Sequence, residues 1–207
     1  MKIEELANRV ARNGLFRTGQ ILSGETNPAS VRRQLVRWTK SGRIHQLRRG
    51  VYVLRKPYAV SGFHPFAAAN ALKKGSYVSL QSALSHYGMI PEFVPVTTSV
   101  TTGRPEEIET SVGRFEFRHT KPRRFFGFAE IEVAVDQVVL IATPQKALVD
   151  LLYLTAHSDR VDYLRELRIE RPASFDTGAL ESTANLMNSD KVVRAVTRLI
   201  QLWEDEG

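Results

Sequence analysis

The sequence predicts an α+β protein in two parts, and three observations predict it. Apolar residues recur at helical spacing within residues 2–40 and again within 159–203. Between these, apolar and polar residues alternate as in strands: Phe115, Phe117 and His119 interleave with Glu116 and Arg118. Charge divides unevenly too. Residues 1–57 hold 13 Lys or Arg against three Asp or Glu, whereas residues 58–207 hold 16 against 19. A basic N-terminal module (1–57) and a near-neutral mixed α/β domain with a helical C-terminal tail (64–207) account for all three.

In order along the chain, Ile3, Leu6 and Val10 form one apolar stripe, which predicts a helix over Lys2–Arg12. Asn13–Gly14 ends it. Leu15–Phe16 reads as a short extended piece, Thr18 as the N-cap of a short helix near Gly19–Leu22, and Ser23–Thr26 as a turn. Asn27–Pro28 is a helix start: a capping side chain, then a residue whose missing N–H costs nothing at the first position. The helix it opens runs Pro28–Lys40. At about 100° per residue, Val31, Leu35 and Trp38 share the core face; Ser30, Arg33, Arg37 and Lys40 lie opposite, with Arg32 on a flank. Gly42 stops it. Ile44, Leu47, Val51 and Val53 then give a strand–turn–strand, with Gly50 at the turn and Arg48–Arg49 at the tip.

Three helices followed by a basic hairpin is the order of a winged helix-turn-helix, whose helix after the turn enters the DNA major groove. From Ser30 to Leu54 there are seven Lys or Arg and no Asp or Glu. Phosphate is the natural counter-charge, because each neutralised phosphate releases condensed counterions. The expected DNA-binding residues are Ser30, Arg32, Arg33, Arg37 and Lys40 on the helix, with Arg43, His45, Arg48 and Arg49 on the wing. Arg33 and Arg37 suit bidentate contacts with guanine.

The boundary reads at Lys56–Tyr58 through Ser61–Gly62. Beyond it, helices are expected over His64–Lys73 and from Ser79 or Leu80 to His86, with a short strand at Tyr77–Val78. Strands follow at Val96–Thr102 and Arg114–Thr120, separated by a charged turn at Gly103–Glu109. Ile131, Val133 and Val135 alternate as a strand, and Val138–Ala142 reads as a buried run. Thr143–Pro144 repeats the cap-plus-proline signal and opens a helix to about Ala156, on which Lys146 and Asp150 read as a surface pair. Tail helices are expected at Asp159–Ile169, Thr177–Leu186 and Lys191–Trp203. The last carries a stripe of Val192, Val196, Leu199 and Trp203, widened by Val193 and Ile200.

Catalytic chemistry has little to rest on. The five histidines are scattered, cysteine is absent, and neither a P-loop nor a G-x-S-x-G elbow occurs. Glu130, Glu132 and Asp136 are the best Mg²⁺ candidates, but the two glutamates alternate on a strand as an exposed edge does. No catalytic residue, metal or cofactor is expected. No signal peptide is visible and no apolar run reaches about 18 residues, so the reading is a cytoplasmic protein with no membrane partner.

Four stretches appear in order: GRIHQLRRGVYVL (42–54), YVSLQSALSHYGMIPEFVP (77–95), VTTSVTT (96–102) and ATPQKALVDLLYL (142–154). Together they resemble the AbiE-type abortive-infection antitoxins, the AbiEi-like transcriptional regulators, over about residues 3–157. The resemblance implies a winged helix that represses its own operon at inverted repeats. It also implies a C-terminal domain that counteracts a nucleotidyltransferase-like toxin. Arg114, Arg118, Lys121, Arg123 and Arg124 are the candidate partner surface, and Phe125–Phe126 beside them read as core. The alternative is a stand-alone transcription factor with a ligand-sensing or assembly C-terminal domain.

Overall fold

In the computed structural model, which describes residues 2–10, 12–23, 27–59, 61–91 and 94–205, the chain opens with α1 (Ile3–Arg9). Glu5 accepts the Lys2 N–H at 2.9 Å and fixes the start. Val10 is already extended, so the helix ends three residues before the expected Arg12. β1 (Leu15–Arg17) leads directly into α2 (Thr18–Leu22). Thr18 is the first helical residue rather than the cap, and Gln20 Oε1 accepts the Arg17 N–H at 2.6 Å instead. The expected turn at Ser23–Thr26 falls, after Ser23, outside the described residues.

α3 (Pro28–Lys40) has the bounds its sequence predicts, and the Asn27 side chain accepts the Ser30 N–H at 3.0 Å. β2 (Ile44–Arg48) and β3 (Val51–Leu54) form an antiparallel hairpin, and β1 pairs the other edge of β3 to give the order β1-β3-β2. Arg48 pairs Val51, so the loop is Arg49–Gly50 alone, with Gly50 at φ +83°. The register shifts between Gln46 and Arg48, a bulge near the hairpin tip. Ile3, Leu6, Phe16, Val31, Leu35 and Trp38 meet in the core beneath this sheet. Gly14, at φ +75°, lets the chain pass close over Leu54: a Cβ there would lie 3.0 Å from the leucine Cβ.

The first compact unit does not stop at residue 57. It is Met1–Lys74, with Glu109–Gly113 and Ile131–Val139. It therefore takes in α4 (Pro65–Leu72), opened by His64, whose Nδ1 accepts the Phe66 N–H at 3.2 Å. Buried Gln137 secures the approach to α4, accepting from His64 N–H at 2.6 Å and donating to the Gly62 carbonyl at 2.9 Å.

The second unit is Gly75–Ile108, Arg114–Glu130 and Leu140–Gly207. The chain's larger sheet has six strands in the order β6-β7-β5-β4-β9-β8. These are β4 (Ser76–Val78), β5 (Val96–Thr101), β6 (Glu106–Thr110), β7 (Gly113–His119), β8 (Phe128–Ala134) and β9 (Gln137–Ala142). β5 runs antiparallel to β4 and parallel to β7, and β4 runs parallel to β9. The sheet is thus mixed, and with the helices the chain is α+β. Two expectations need correction. Gly103–Glu109 is not merely a turn, because β6 forms there as an edge strand whose glutamates deter further pairing. Val138 is 60% exposed, so β9 alternates faces instead of forming one buried run.

α5 (Leu80–His86) and α6 (Pro144–Leu154) pack together, and α6 also meets α8 (Thr177–Leu186) and α9 (Asp190–Asp205). α7 (Val161–Glu166) is shorter than its sequence suggests, and α9 is longer. On α9 Val192, Ala195, Val196 and Leu199 are buried, whereas Val193 is exposed and does not widen that face. Cations satisfy the last carbonyls of α6: Lys191 donates to Tyr153 and Thr155, and Arg118 to Leu154. No helix among the described residues is long and apolar enough to cross a membrane.

Candidate functional site

α3 divides by burial as its periodicity requires. Val31, Leu35 and Trp38 are buried; Ser30, Arg32, Arg33, Arg37 and Lys40 are exposed. Arg43 is exposed in the turn that follows, its N–H donating to the Trp38 carbonyl at 3.0 Å. On the hairpin, Arg48 and Arg49 are exposed and His45 is half-buried. No carboxylate among the described residues forms an ion pair with Arg32, Arg33, Arg37 or Lys40. The face carries its positive charge to solvent.

Three features of this surface escape periodicity. Val36 is 55% exposed and lies about 60° around the helix from Arg33. Exposed valine amid arginines has no packing purpose; its signal is that it falls off the Val31–Leu35–Trp38 stripe. Second, α4 joins the basic unit. The Arg17 guanidinium donates to the Asn70 and Ala71 carbonyls at 2.9 and 2.6 Å, and Arg48 reaches the Leu72 carbonyl at 3.5 Å. These are the unsatisfied carbonyls of the α4 C-terminus, where a cation also opposes the helix dipole. Burial depresses the Arg17 pKa from its ordinary value. Third, Lys73 and Lys74 come with α4, raising residues 1–74 to 15 basic against three acidic. Arg17, Thr18, Ser23, Arg48, Arg49 and Lys74 line a concavity of about 610 Å³ beside the hairpin tip.

The candidate partner residues are not all available at the surface. Arg114 and Arg118 share the face of β7 opposite buried Phe115 and Phe117. Arg114, Lys121 and Arg123 are exposed, but Arg118 is half-buried and occupied by the Leu154 carbonyl at 2.9 Å and Glu116 at 3.3 Å. Arg124 must be withdrawn from the set. It is only 5% exposed. Its guanidinium donates to the Met187 and Asn188 carbonyls at 2.6 and 2.9 Å and to Tyr153 Oη at 3.0 Å. It locks a short 3₁₀ turn (Pro122–Arg124) to the end of α8.

The Lys146–Asp150 surface pair is also corrected: both side chains are fully buried. Asp150 accepts from Lys146, from Tyr77 Oη at 2.9 Å and from Ser79 Oγ at 2.8 Å. Lys146 Nζ lies 5.0 Å from the Phe126 ring centroid and 3.9 Å from Met187 Sδ. Burial pushes the Asp150 carboxyl up and the Lys146 amine down, and their contact opposes both shifts. Tyr77 is driven well above the ordinary phenol range by burial and then by the Asp150 charge. Gly127, at φ +72°, leaves room for the lysine stem: a Cβ there would sit 3.0 Å from it. Phe125 and Phe128 pack on Tyr77, as core residues do. The arrangement is an internal clamp joining β4, the residues before α5, and α6.

Glu130, Glu132 and Asp136 are exposed, and Glu132 accepts the Asp136 backbone N–H at 3.0 Å. Among the described residues no group of three His, Cys, Asp or Glu is placed to hold a metal ion.

No family model matches the chain, and no curated protein does. Among solved structures, the chain is similar to the RV2827C protein from Mycobacterium tuberculosis at 16% identity, with a TM-score of 0.47 over 96% of this chain and 79% of that one.

Proposed function

We propose that the N-terminal unit is a winged helix-turn-helix that binds double-stranded DNA, with α3 in the major groove and the β2–β3 wing on the flanking backbone. The observation that carries this reading is the outward face of α3: Ser30, Arg32, Arg33, Arg37 and Lys40 exposed, above a helix anchored by Val31, Leu35 and Trp38. Arg33 and Arg37 read base edges. Arg49 and Lys74, at the rim of the concavity beside the wing, take phosphates. Val36 suits the methyl group of thymine.

The motif resemblance supports reading the protein as a non-enzymatic cytoplasmic antitoxin that represses its own operon and counteracts a nucleotidyltransferase-like toxin through its second unit. The motifs themselves have a structural meaning. Tyr77 and Ser79 come from one, Lys146 and Asp150 from another, and they meet in the buried clamp. From a third, Thr98 bonds Ser82 Oγ at 3.1 Å and the Ser79 carbonyl at 2.8 Å. These residues hold the unit together; any toxin contact falls to exposed residues such as Arg114, Lys121 and Arg123.

Fluorescence anisotropy with the duplex upstream of the protein's own gene tests the DNA reading. Wild type binds, and the Arg33/Arg37/Arg48/Arg49 tetra-alanine variant loses binding; equal affinity of the two sinks the reading. Co-expression with an adjacent nucleotidyltransferase gene tests the antitoxin reading, which requires rescue of growth. One observation favours a second reading, a transcription factor with a ligand-sensing C-terminal domain: a cavity of about 700 Å³ in the tail.

A further inference from the structure

That cavity lies between the segment after α7 and the end of α9. Its apolar wall is Leu164, Ile169 and Leu199, all buried, with the half-buried Trp203 beside them. The indole is held in place: Nε1 donates to the Ile169 carbonyl at 3.0 Å, and Phe175 meets the ring edge-on at 5.7 Å between centroids. Arg165, Arg168 and Arg171 are exposed around the same cavity, with Glu170 among them. Arg171 Cζ lies 6.0 Å from the indole centroid. None of the three guanidiniums forms a hydrogen bond or ion pair among the described residues. Arg168 takes the left-handed backbone conformation, φ +45°, two residues after the end of α7.

We propose that this cavity binds a nucleoside phosphate. The chemistry has two halves that one ligand class joins. Guanidinium forks match phosphate oxygens bidentately, and three of them line this cavity without a hydrogen-bond or ion-pair partner among the described residues. A fixed indole beside an apolar wall presents a stacking face for a planar base. Glu170 supplies an acceptor for a sugar hydroxyl or an exocyclic amine. A volume of about 700 Å³ is within the range of small-molecule sites. An inorganic anion alone would leave the indole unused, and an apolar ligand alone would leave the arginines unused. The site is independent of the DNA reading, since all its residues belong to the second unit.

Isothermal titration of the full-length protein with ATP, AMP, adenosine and orthophosphate tests it. ATP binds most tightly, AMP at least tenfold more weakly, and adenosine and orthophosphate more weakly still. Arg168→Ala with Arg171→Ala weakens ATP at least tenfold, and so does Trp203→Leu. Arg33→Ala with Arg37→Ala leaves ATP affinity unchanged, which separates this cavity from the basic face of α3. Melting curves without ligand confirm that each variant folds; if Trp203→Leu does not, quenching of indole fluorescence by ATP in Trp38→Phe reports on Trp203 directly. Absence of heat with every nucleotide overturns the proposal. So does loss of ATP binding in the α3 variant, or an oligoglutamate peptide that binds as tightly as ATP and ignores Trp203→Leu.

Discussion

α3 and α6 start alike and end in opposite uses of charge. Each opens on a capping side chain followed by proline: Asn27 accepts the Ser30 N–H, and Thr143 the Lys146 N–H. α3 carries four basic residues and α6 a single one, Lys146. On α3 the cations face solvent with no carboxylate partner among the described residues; on α6 Lys146 is sealed in the core against Asp150, Tyr77 and Phe126. A cation whose counter-charge is supplied by the chain itself serves stability. One left facing solvent is open to a partner. The difference can be broken from either side.

The largest effect is expected in the clamp. Lys146→Met leaves the Asp150 carboxylate buried with only two hydroxyl donors, and should cost about 3–5 kcal/mol in urea unfolding. Adding Asp150→Leu removes the orphaned charge and should recover part of that loss. Equal destabilisation by the single and double variants would show that the two charges are not coupled. Neither variant should alter DNA affinity while the protein is folded.

Arg37→Ala on α3 should do the reverse. DNA binding falls by roughly 1–3 kcal/mol if the side chain reads a base, and unfolding free energy stays within about 0.5 kcal/mol, as for surface changes generally. Arg49→Ala and Lys74→Ala should each flatten the salt dependence of binding by about one phosphate contact, equally for any DNA sequence. A sequence-dependent effect at Lys74 would move it from backbone to base.

What was readable in the sequence follows the same division. α3 and the hairpin were legible because caps, glycines and period agree locally there. The burial of Lys146 was not: an i, i+4 Lys–Asp pair looks the same on a surface, and its burial depends on Tyr77 and Ser79, about 70 residues away in sequence. β6 was hidden because three glutamates give no strand alternation, and its pairing comes from β7. The end of the basic unit was misplaced because α4 is tied by Arg17 to carbonyls, a contact that leaves no trace in side-chain pattern. Arg124 read as surface because a basic run ordinarily is; its partners are backbone carbonyls beyond α8.

The two caps sharpen the comparison at about 1 kcal/mol each. Asn27→Ala frees the Ser30 N–H at an exposed helix end, where water replaces the cap, so the loss should fall at or below that figure. Thr143→Ala acts at the half-buried start of α6, so its loss should reach or exceed it. Chemical denaturation ranks the two, and the reverse order would contradict the burial argument.

The smallest effect separates the two helices most cleanly. Val36 is exposed on the basic face, so Val36→Ala removes little packing, and stability should change by less than about 0.5 kcal/mol. The helix should gain slightly, since alanine has the higher propensity. If Val36 meets a thymine methyl, the same change lowers discrimination at one base pair and leaves the salt dependence untouched, because no phosphate contact is lost. Selection from a randomised duplex pool, compared for wild type and Val36→Ala, reads this directly. Identical selected sequences would remove Val36 from the interface while leaving the arginines on either side of it in place.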